Sequence, residues 1–280
     1  MVDIKTNRYS HKELARHAFE IRRNVIKMVG RNGQGYVQQG LGAADIFTFL
    51  FFNEVTMDIK DPSWEGRDRI FLSTAHNSAL FHATLAQRGV LSFDSLDSYT
   101  KDGSALEINV SERLGGIVEA TCGSLGQGLS VAIGMALSGK RRANPFRCYV
   151  ILGDGELQEG QTWEAAMFAS AHRLENLCTI IDFNNLQADG ASKDVMNMES
   201  LEEKWKSFGW CTTMIDGHNF SDLEGALNFA RLNKDKPTVI IAKTLVGKGV
   251  SFLEGRMSHN MVFPLGVAQR ALKELKMGVC

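Results

Sequence analysis

The chain is poor in the residues that staple or interrupt a fold. Only four prolines and five cysteines occur in 280 residues. The cysteines, Cys122, Cys148, Cys178, Cys211 and Cys280, stand apart, with no Cys-x-x-Cys pair. That spacing excludes a zinc knuckle or a disulfide framework and leaves a buried structural thiol as the expectation for each. An excess of one charge is missing too. Lys and Arg total 31 against 32 Asp and Glu, a net charge of −1, which argues against nucleic acid or a membrane surface as the main partner. The apolar stretch Ile46–Phe52 is far too short to span a bilayer. The first residues, MVDIKTNRYSH, contain no apolar core and so do not read as a secretory signal, which makes a cytoplasmic location the default. There is no linker rich in Pro, Ser or Gly and no internal repeat, so residues 1–280 read as one domain with an N-terminal helical segment.

What is present is an ordinary globular composition, 44% hydrophobic and 22% charged, which excludes a disordered chain. Leu14, Ala18, Ile21, Val25, Met28 and Val29 recur at helical spacing over about 10–30. A second helix is expected from Ala43 to Glu54, apolar almost all round and so either deeply buried or part of a subunit interface. From about residue 70 short apolar runs alternate with helical patterns. The expected strands are Ile70–Leu72, Cys148–Leu152, Cys178–Asp182, Cys211–Ile215 and Thr238–Ala242. Helices are expected near 78–88, 125–139, 160–173, 199–207, 221–233 and 264–276. Strands that are nearly continuous apolar runs suit a sheet covered on both faces, and the alternation with helices gives a mostly parallel α/β sheet. Ligands of such sheets bind beyond the carboxyl ends of the strands.

Two strand exits carry the chemistry. Cys148–Leu152 runs into Gly153-Asp154-Gly155-Glu156, and Cys178–Asp182 runs into Phe183-Asn184-Asn185-Leu186. Either polar residue alone would serve as a helix cap or a turn. The separation of Asp154 and Asn184 leaves room for one crossover helix, which makes the two strands candidates for neighbours. A carboxylate oxygen beside an amide oxygen is a hard donor set, suited to Mg²⁺ or Ca²⁺ and not to zinc. Mg²⁺ held by few protein oxygens is completed by phosphate oxygens and water, so the pair predicts a metal-bridged diphosphate.

Residues 153–190, GDGELQEGQTWEAAMFASAHRLENLCTIIDFNNLQADG, resemble the thiamine diphosphate motif of transketolases. Cys122 through Ser130 resemble the family's glycine-rich cofactor loop. Lys243-Thr244, Gly247 through Val250 and His259 resemble the end of the same domain, and Asp68-Arg69 with Leu72-Ser73 and His76 form a fourth block. The resemblance covers essentially the whole chain. It implies a thiamine diphosphate-binding fold in which Asp154, Asn184 and the backbone carbonyl of Leu186 hold Mg²⁺, with Ca²⁺ as a substitute. Gly155 and His76 would face the diphosphate, Gly123 and Leu125 the cofactor rings, and Ser124 would also bind the cofactor. His76 and His259 would act near the reacting carbon, where imidazoles serve as donors or acids. Glu159, Glu164 and Asp182 match acidic family positions at the cofactor edge and subunit interface.

The family's pyrimidine-binding and C-terminal domains have no counterpart in the sequence. The resemblance therefore implies the N-terminal subunit of a split transketolase, completed by a separate C-terminal subunit, with two copies of each. The family reads Gly-His where this chain has Gly35-Tyr36, and Gly-His-Pro where it has Ile108-Asn109-Val110. Those histidines contact sugar hydroxyls, so Tyr36 and Asn109 become candidate substrate residues. They point to a ketol donor other than the usual xylulose phosphate, such as a branched ketose phosphate like apulose 4-phosphate. Alternatives within the cofactor class are the α-type subunit of a 2-oxo acid dehydrogenase or a deoxyxylulose phosphate synthase fragment. A catalytically silent cofactor-binding subunit is another. A nicotinamide-binding protein is disfavoured because no G-x-G-x-x-G follows the first strand. His11, His17, His82, His172 and His218 have no motif and read as surface or structural. Glu199–Lys206 reads as a solvated helix face, and Phe47, Phe49, Phe51 and Phe52 as core or interface.

Overall fold

A computed structural model describes residues 8–256 and 262–275. The N-terminal helix α1 (His11–Asn32) is fixed at both ends by its own sequence. Ser10 and Glu13 form a reciprocal capping box, and Gly33 at φ 78° closes the C-terminus in the left-handed region. Its periodic apolar residues, Leu14 to Val29, are all buried. The second helix begins six residues before the sequence pattern places it: α2 runs Val37–Phe49 and continues as a wide turn over Leu50–Glu54. Gly40 and Gly42 lower the local helix propensity and hide this start. Tertiary packing favours the second of them, because a Cβ on Gly42 would lie 3.0 Å from the carbonyl oxygen of Leu245. Nearly every residue of α2 is buried within the chain itself, the phenylalanines included, so its apolar girth needs no partner chain.

The strands are β1 (Arg69–Leu72), β2 (Cys148–Gly153), β3 (Leu177–Phe183), a two-residue pair β4 (Leu186–Gln187) and β5 (Gly190–Ala191), β6 (Cys211–Asp216) and β7 (Thr238–Lys243). The main sheet has the order β1-β2-β3-β7-β6 with every pairing parallel. The connecting helices are α3 (Ser78–Arg88), α4 (Gln127–Lys140), α5 (Gly160–Ala171), the short α6 (Ser192–Val195), α7 (Leu201–Ser207), α8 (Phe220–Leu232) and α9 (Leu265–Glu274). Side chains alternate across the sheet, and each face has its own core. Ile151, Ile180 and Ile240 pack with α1, α2, α3, α8 and α9. Val150, Leu152, Ile181 and Val239 pack with α4, α5 and α7, around the fully buried Trp205. The sheet is thus covered on both faces, as its apolar strands imply. Cys122, Cys148 and Cys178 are buried, whereas Cys211 is only half-buried because it opens the edge strand β6. Cys280 lies outside the described residues. No helix among the described residues is long and apolar enough to cross a membrane.

Two buried polar clusters fix loops that the sheet alone leaves open. Arg22 donates to both carboxylate oxygens of Asp45, at 3.0 and 2.5 Å, and to the carbonyl of Leu41. His218 Nδ1 meets the same carboxylate at 2.8 Å, while its Nε2 accepts from the amide of Leu245. That second bond fixes the tautomer: Nδ1 carries the proton. His218 is therefore structural, tying the loop after β7 to α2. The second cluster pairs Arg67 with Glu119 and the carbonyl of Gly116, pinning the loop before the glycine-rich segment.

Candidate active site

The parallel register decides the site. β2 and β3 are adjacent, and Gly153 lies opposite Asp182. Asp154 and Asn184 therefore leave the sheet side by side, as their spacing predicts. Asp154 Oδ1 accepts from the amide of Gly155 at 2.9 Å, and Oδ2 from the amide of Asn185 at 2.7 Å and the hydroxyl of Ser192 at 3.1 Å. Asn184 Oδ1 accepts from the amide of Leu186 at 3.0 Å, so its amide oxygen is oriented by its own turn. The β4–β5 hairpin that follows carries Leu186, with its register Leu186↔Ala191. Asn185 makes the turn at φ 60°, a left-handed conformation that asparagine tolerates.

A cavity of about 540 Å³ opens beyond these strand ends. It gathers most of the candidates: Asp154, Gly155, Asn184 and Leu186 on one side, and Gly123, Leu125 and His76 on another. Tyr36 and Asn109 line it as well. The ring of Tyr36 stands edge-on to that of His76, with centroids 4.9 Å apart. Asn109 lies across from Gly123, where an added Cβ would come 3.5 Å from the Asn109 amide carbon. Ser124 sits in the same loop but is exposed and does not line the cavity. His259 falls outside the described residues. Glu159 and Asp182 line the cavity, whereas Glu164 is exposed on α5.

The electrostatics of the cavity are one-sided. Asp154, Glu156, Glu159, Asp182 and Asp189 line it, with no Lys or Arg among the described lining residues. Burial, reinforced by the neighbouring Asp182, pushes the Asp154 carboxyl up to about 7. Burial also raises Asp182, against the opposing hydrogen bonds from Thr244, Asn77 and Asn184. Such a wall repels a phosphorylated ligand unless a cation accompanies it. Among the described residues no cluster of three or more His, Cys, Asp and Glu side chains could hold a metal. The candidate donors at the strand exits are of another kind: one carboxylate, one amide oxygen and the backbone carbonyl that the family resemblance assigns to Leu186. That is the sparse oxygen set of a Mg²⁺ that keeps phosphate and water ligands. The residues therefore fit a metal-bound diphosphate.

Sequence reasoning passed over Glu156, which is 1% exposed and lines the same cavity. The only signal was its place directly after Gly155, where a helix start usually explains an acidic residue.

The comparisons with known proteins agree with this geometry. Residues 14–279 match the model of the transketolase, thiamine diphosphate binding domain family. The chain belongs to the transketolase family. Among transketolase relatives it is 38% identical to the 6-deoxy-6-sulfo-D-fructose transketolase subunit SqwG of Clostridium sp. (strain MSTE9), covering 94% of this chain and 96% of that one. It is 35% identical to an apulose-4-phosphate transketolase subunit of Actinobacillus succinogenes, covering 95% and 97%. The transketolase of Homo sapiens is 34% identical, but the match covers 92% of this chain and only 41% of the human one. The solved transketolase of Campylobacter jejuni superposes with a TM-score of 0.89 at 30% identity, over 95% of this chain and 43% of that chain. This chain thus matches relatives named as transketolase subunits almost end to end, and less than half the length of the longer transketolases.

Proposed function

We propose that this chain is the thiamine diphosphate- and Mg²⁺-binding subunit of a two-chain transketolase, working in the cytoplasm. It would transfer a two-carbon ketol unit from a ketose to an aldose. The observation that carries this reading is the juxtaposition of Asp154 and Asn184 at the exits of adjacent parallel strands, beside a cavity whose described lining includes several acids and no Lys or Arg. When bound, thiamine diphosphate supplies the carbon nucleophile for ketol transfer. Asp154, Asn184 and the carbonyl of Leu186 would hold the metal that neutralises the diphosphate. Gly155 leaves room for the backbone to approach it, since a Cβ there would already press on Gln187 at 3.1 Å. Gly123 and Leu125 would flank the rings. His76, seated against Tyr36, would donate to the diphosphate or to the substrate oxygen near it. His259 is assigned a similar role on sequence grounds alone.

The names of the relatives point to the substrate class. One is named for 6-deoxy-6-sulfo-D-fructose and one for apulose 4-phosphate, so an anionic ketose other than xylulose phosphate is the donor we propose. Tyr36 and Asn109 would hydrogen-bond its hydroxyls in place of imidazoles. The second chain, which would bring the pyrimidine-binding domain, and an assembly of two copies of each are also part of this reading. Near-complete matches to proteins named as subunits support them.

The test is to purify the tagged chain from its native cell with any bound partner. The eluate is assayed for thiamine diphosphate-dependent ketol transfer on sugar phosphates and sulfonates. A stoichiometric second chain with transfer activity is expected. A preparation that releases carbon dioxide from a 2-oxo acid without ketol transfer would move the chain to the dehydrogenase class. Cofactor binding with no partner and no turnover would make it a silent binding protein.

A further inference from the structure

Three of the segments around the cavity lie far apart in the chain. They are the exit of β1 (Ser73 to His76), the glycine loop (Gly123 to Gly126) and the exit of β2 (Gly153 to Gly155). All three are tied to one side chain. The Glu156 carboxylate accepts from the hydroxyl of Ser73 and from the amide of Gly126 at 2.7 Å through Oε1, and from the amide of Gly153 at 3.3 Å through Oε2. Its own carbonyl accepts from the hydroxyl of Thr162 at 3.2 Å, anchoring it to α5. Gln161 on the same helix donates to the carbonyl of Leu125 at 2.9 Å, so the glycine loop is held from two sides.

The packing leaves no slack for the loop to find this position otherwise. A Cβ on Gly128 would fall 2.5 Å from the Ser73 side chain, and one on Gly126 2.8 Å from Gln161. Gly126 also sits at φ 84°, where only glycine is comfortable. The start of α4 therefore lies directly on the β1 exit, with Glu156 as the polar bridge. A buried carboxylate facing three donors is worth more than three neutral acceptors, and leaving those donors unpaired costs accordingly. Glu156 cannot itself welcome a diphosphate, because it carries the same sign.

We infer that Glu156 is a positioning residue, which sets the glycine loop and the β1 exit at the separation that thiamine diphosphate requires. This rests on the functional reading above. In Glu156→Gln the amide group must point a donor at one of the three donors, so at least one wall is released.

The test uses the full chain. Calorimetric titration with thiamine diphosphate and Mg²⁺ should show Glu156→Gln binding at least tenfold more weakly than wild type, at a temperature where both are folded. Hydrogen exchange of the cofactor-free chain should show the segment around Gly126 exchanging at least tenfold faster, with the distant α1 unchanged. Equal affinity and equal exchange would overturn the inference. Should Glu156→Gln not fold, Ser73→Ala decides. It keeps the carboxylate and removes one donor, and it should weaken cofactor binding several-fold, whereas unchanged binding would overturn the inference. Wild type that binds no cofactor even together with its partner chain would sink the functional reading instead, and the exchange comparison, made without cofactor, would still decide the role of Glu156.

Discussion

The two sides of the cavity are built by different means. Asp154 and Asn184 ride on strand exits whose relative height is set by the β2–β3 register, a ladder of backbone hydrogen bonds in the centre of the sheet. Tyr36 and Asn109 stand on segments without a shared ladder, one just before α2 and one in the long irregular stretch between α3 and α4. On the first side the backbone places the proposed metal ligands. On the second, individual side chains must do it. His82 Nε2 meets the carbonyl of Glu107 at 3.1 Å and so holds the segment carrying Asn109. Tyr99, fully buried, wedges against Gly35, where an added Cβ would lie 3.1 Å from its hydroxyl. The lesson is one of tolerance. Under the proposed function, cofactor binding sits where the sheet enforces geometry, and substrate choice where single residues can be exchanged without moving a strand.

The largest effect is expected on the sheet side. Asp154→Ala should weaken Mg²⁺-dependent thiamine diphosphate binding by more than about a thousandfold, while a thermal melt shows the chain still folded. Calorimetric affinity close to wild type would refute the assignment of the metal and break the comparison at its root.

Next comes the Arg22–Asp45–His218 cluster, which holds the loop of Thr244 to Val246 against the cavity. Burial opposes the charged form of Asp45, but Arg22 and the hydrogen bonds from His218 and Arg22 prevail and hold its carboxyl below the usual range. Asp45→Asn should cost about 3 kcal/mol at neutral pH, because it leaves a buried guanidinium unpaired. The sign with pH follows from the depressed value. Wild type binds fewer protons folded than unfolded, so the advantage over Asp45→Asn is full above about pH 5 and shrinks as pH falls through the folded value. Urea unfolding at several pH values measures this. A difference independent of pH down to the acid limb would contradict it.

On the loop side, burial lowers His82 to about 4, only partly offset by its bond to Glu107. Between about pH 4 and 6.5 the unfolded chain takes up a proton that the folded chain refuses, so stability rises with pH across that window. His82→Gln should flatten this slope and leave stability above pH 7 changed by about 1 kcal/mol. An unaltered slope would show that other groups carry it.

The smallest effect, and the one that sharpens the contrast most, is exchange at the proposed substrate face. Tyr36→His and Asn109→His should leave cofactor affinity within about twofold and shift relative kcat/KM between donor sugars by about tenfold. Donor preference that does not move would mean that the loop side does not choose the substrate.

The site was only partly legible before folding. The pairing of Asp154 with Asn184 could be read because a crossover of that length makes parallel neighbours and ligands collect at strand exits. Glu156 could not, because its partners Ser73 and Gly126 are remote in sequence and nothing local distinguishes it from a helix-start acid. The β4–β5 hairpin escaped as well, since two-residue strands have no periodicity to detect. His218 reads from the sequence as surface or structural, and the structure decides for structural through partners distant in the chain, Asp45 and the amide of Leu245.

The sequence by itself determined the alternation of strands and helices, the parallel sheet covered on both faces, the capped α1 and the family to which the four motif blocks belong. The family rests on the resemblance of those blocks, and the other features on periodicity, capping and turn chemistry, which act within a few residues. Only the tertiary structure decided that α2 begins at Val37 despite its glycines, that Ser124 turns away from the cavity and that one buried carboxylate joins three loops. Each of those outcomes depends on which distant atoms arrive within about 3 Å, and that is settled by packing after the local elements have formed.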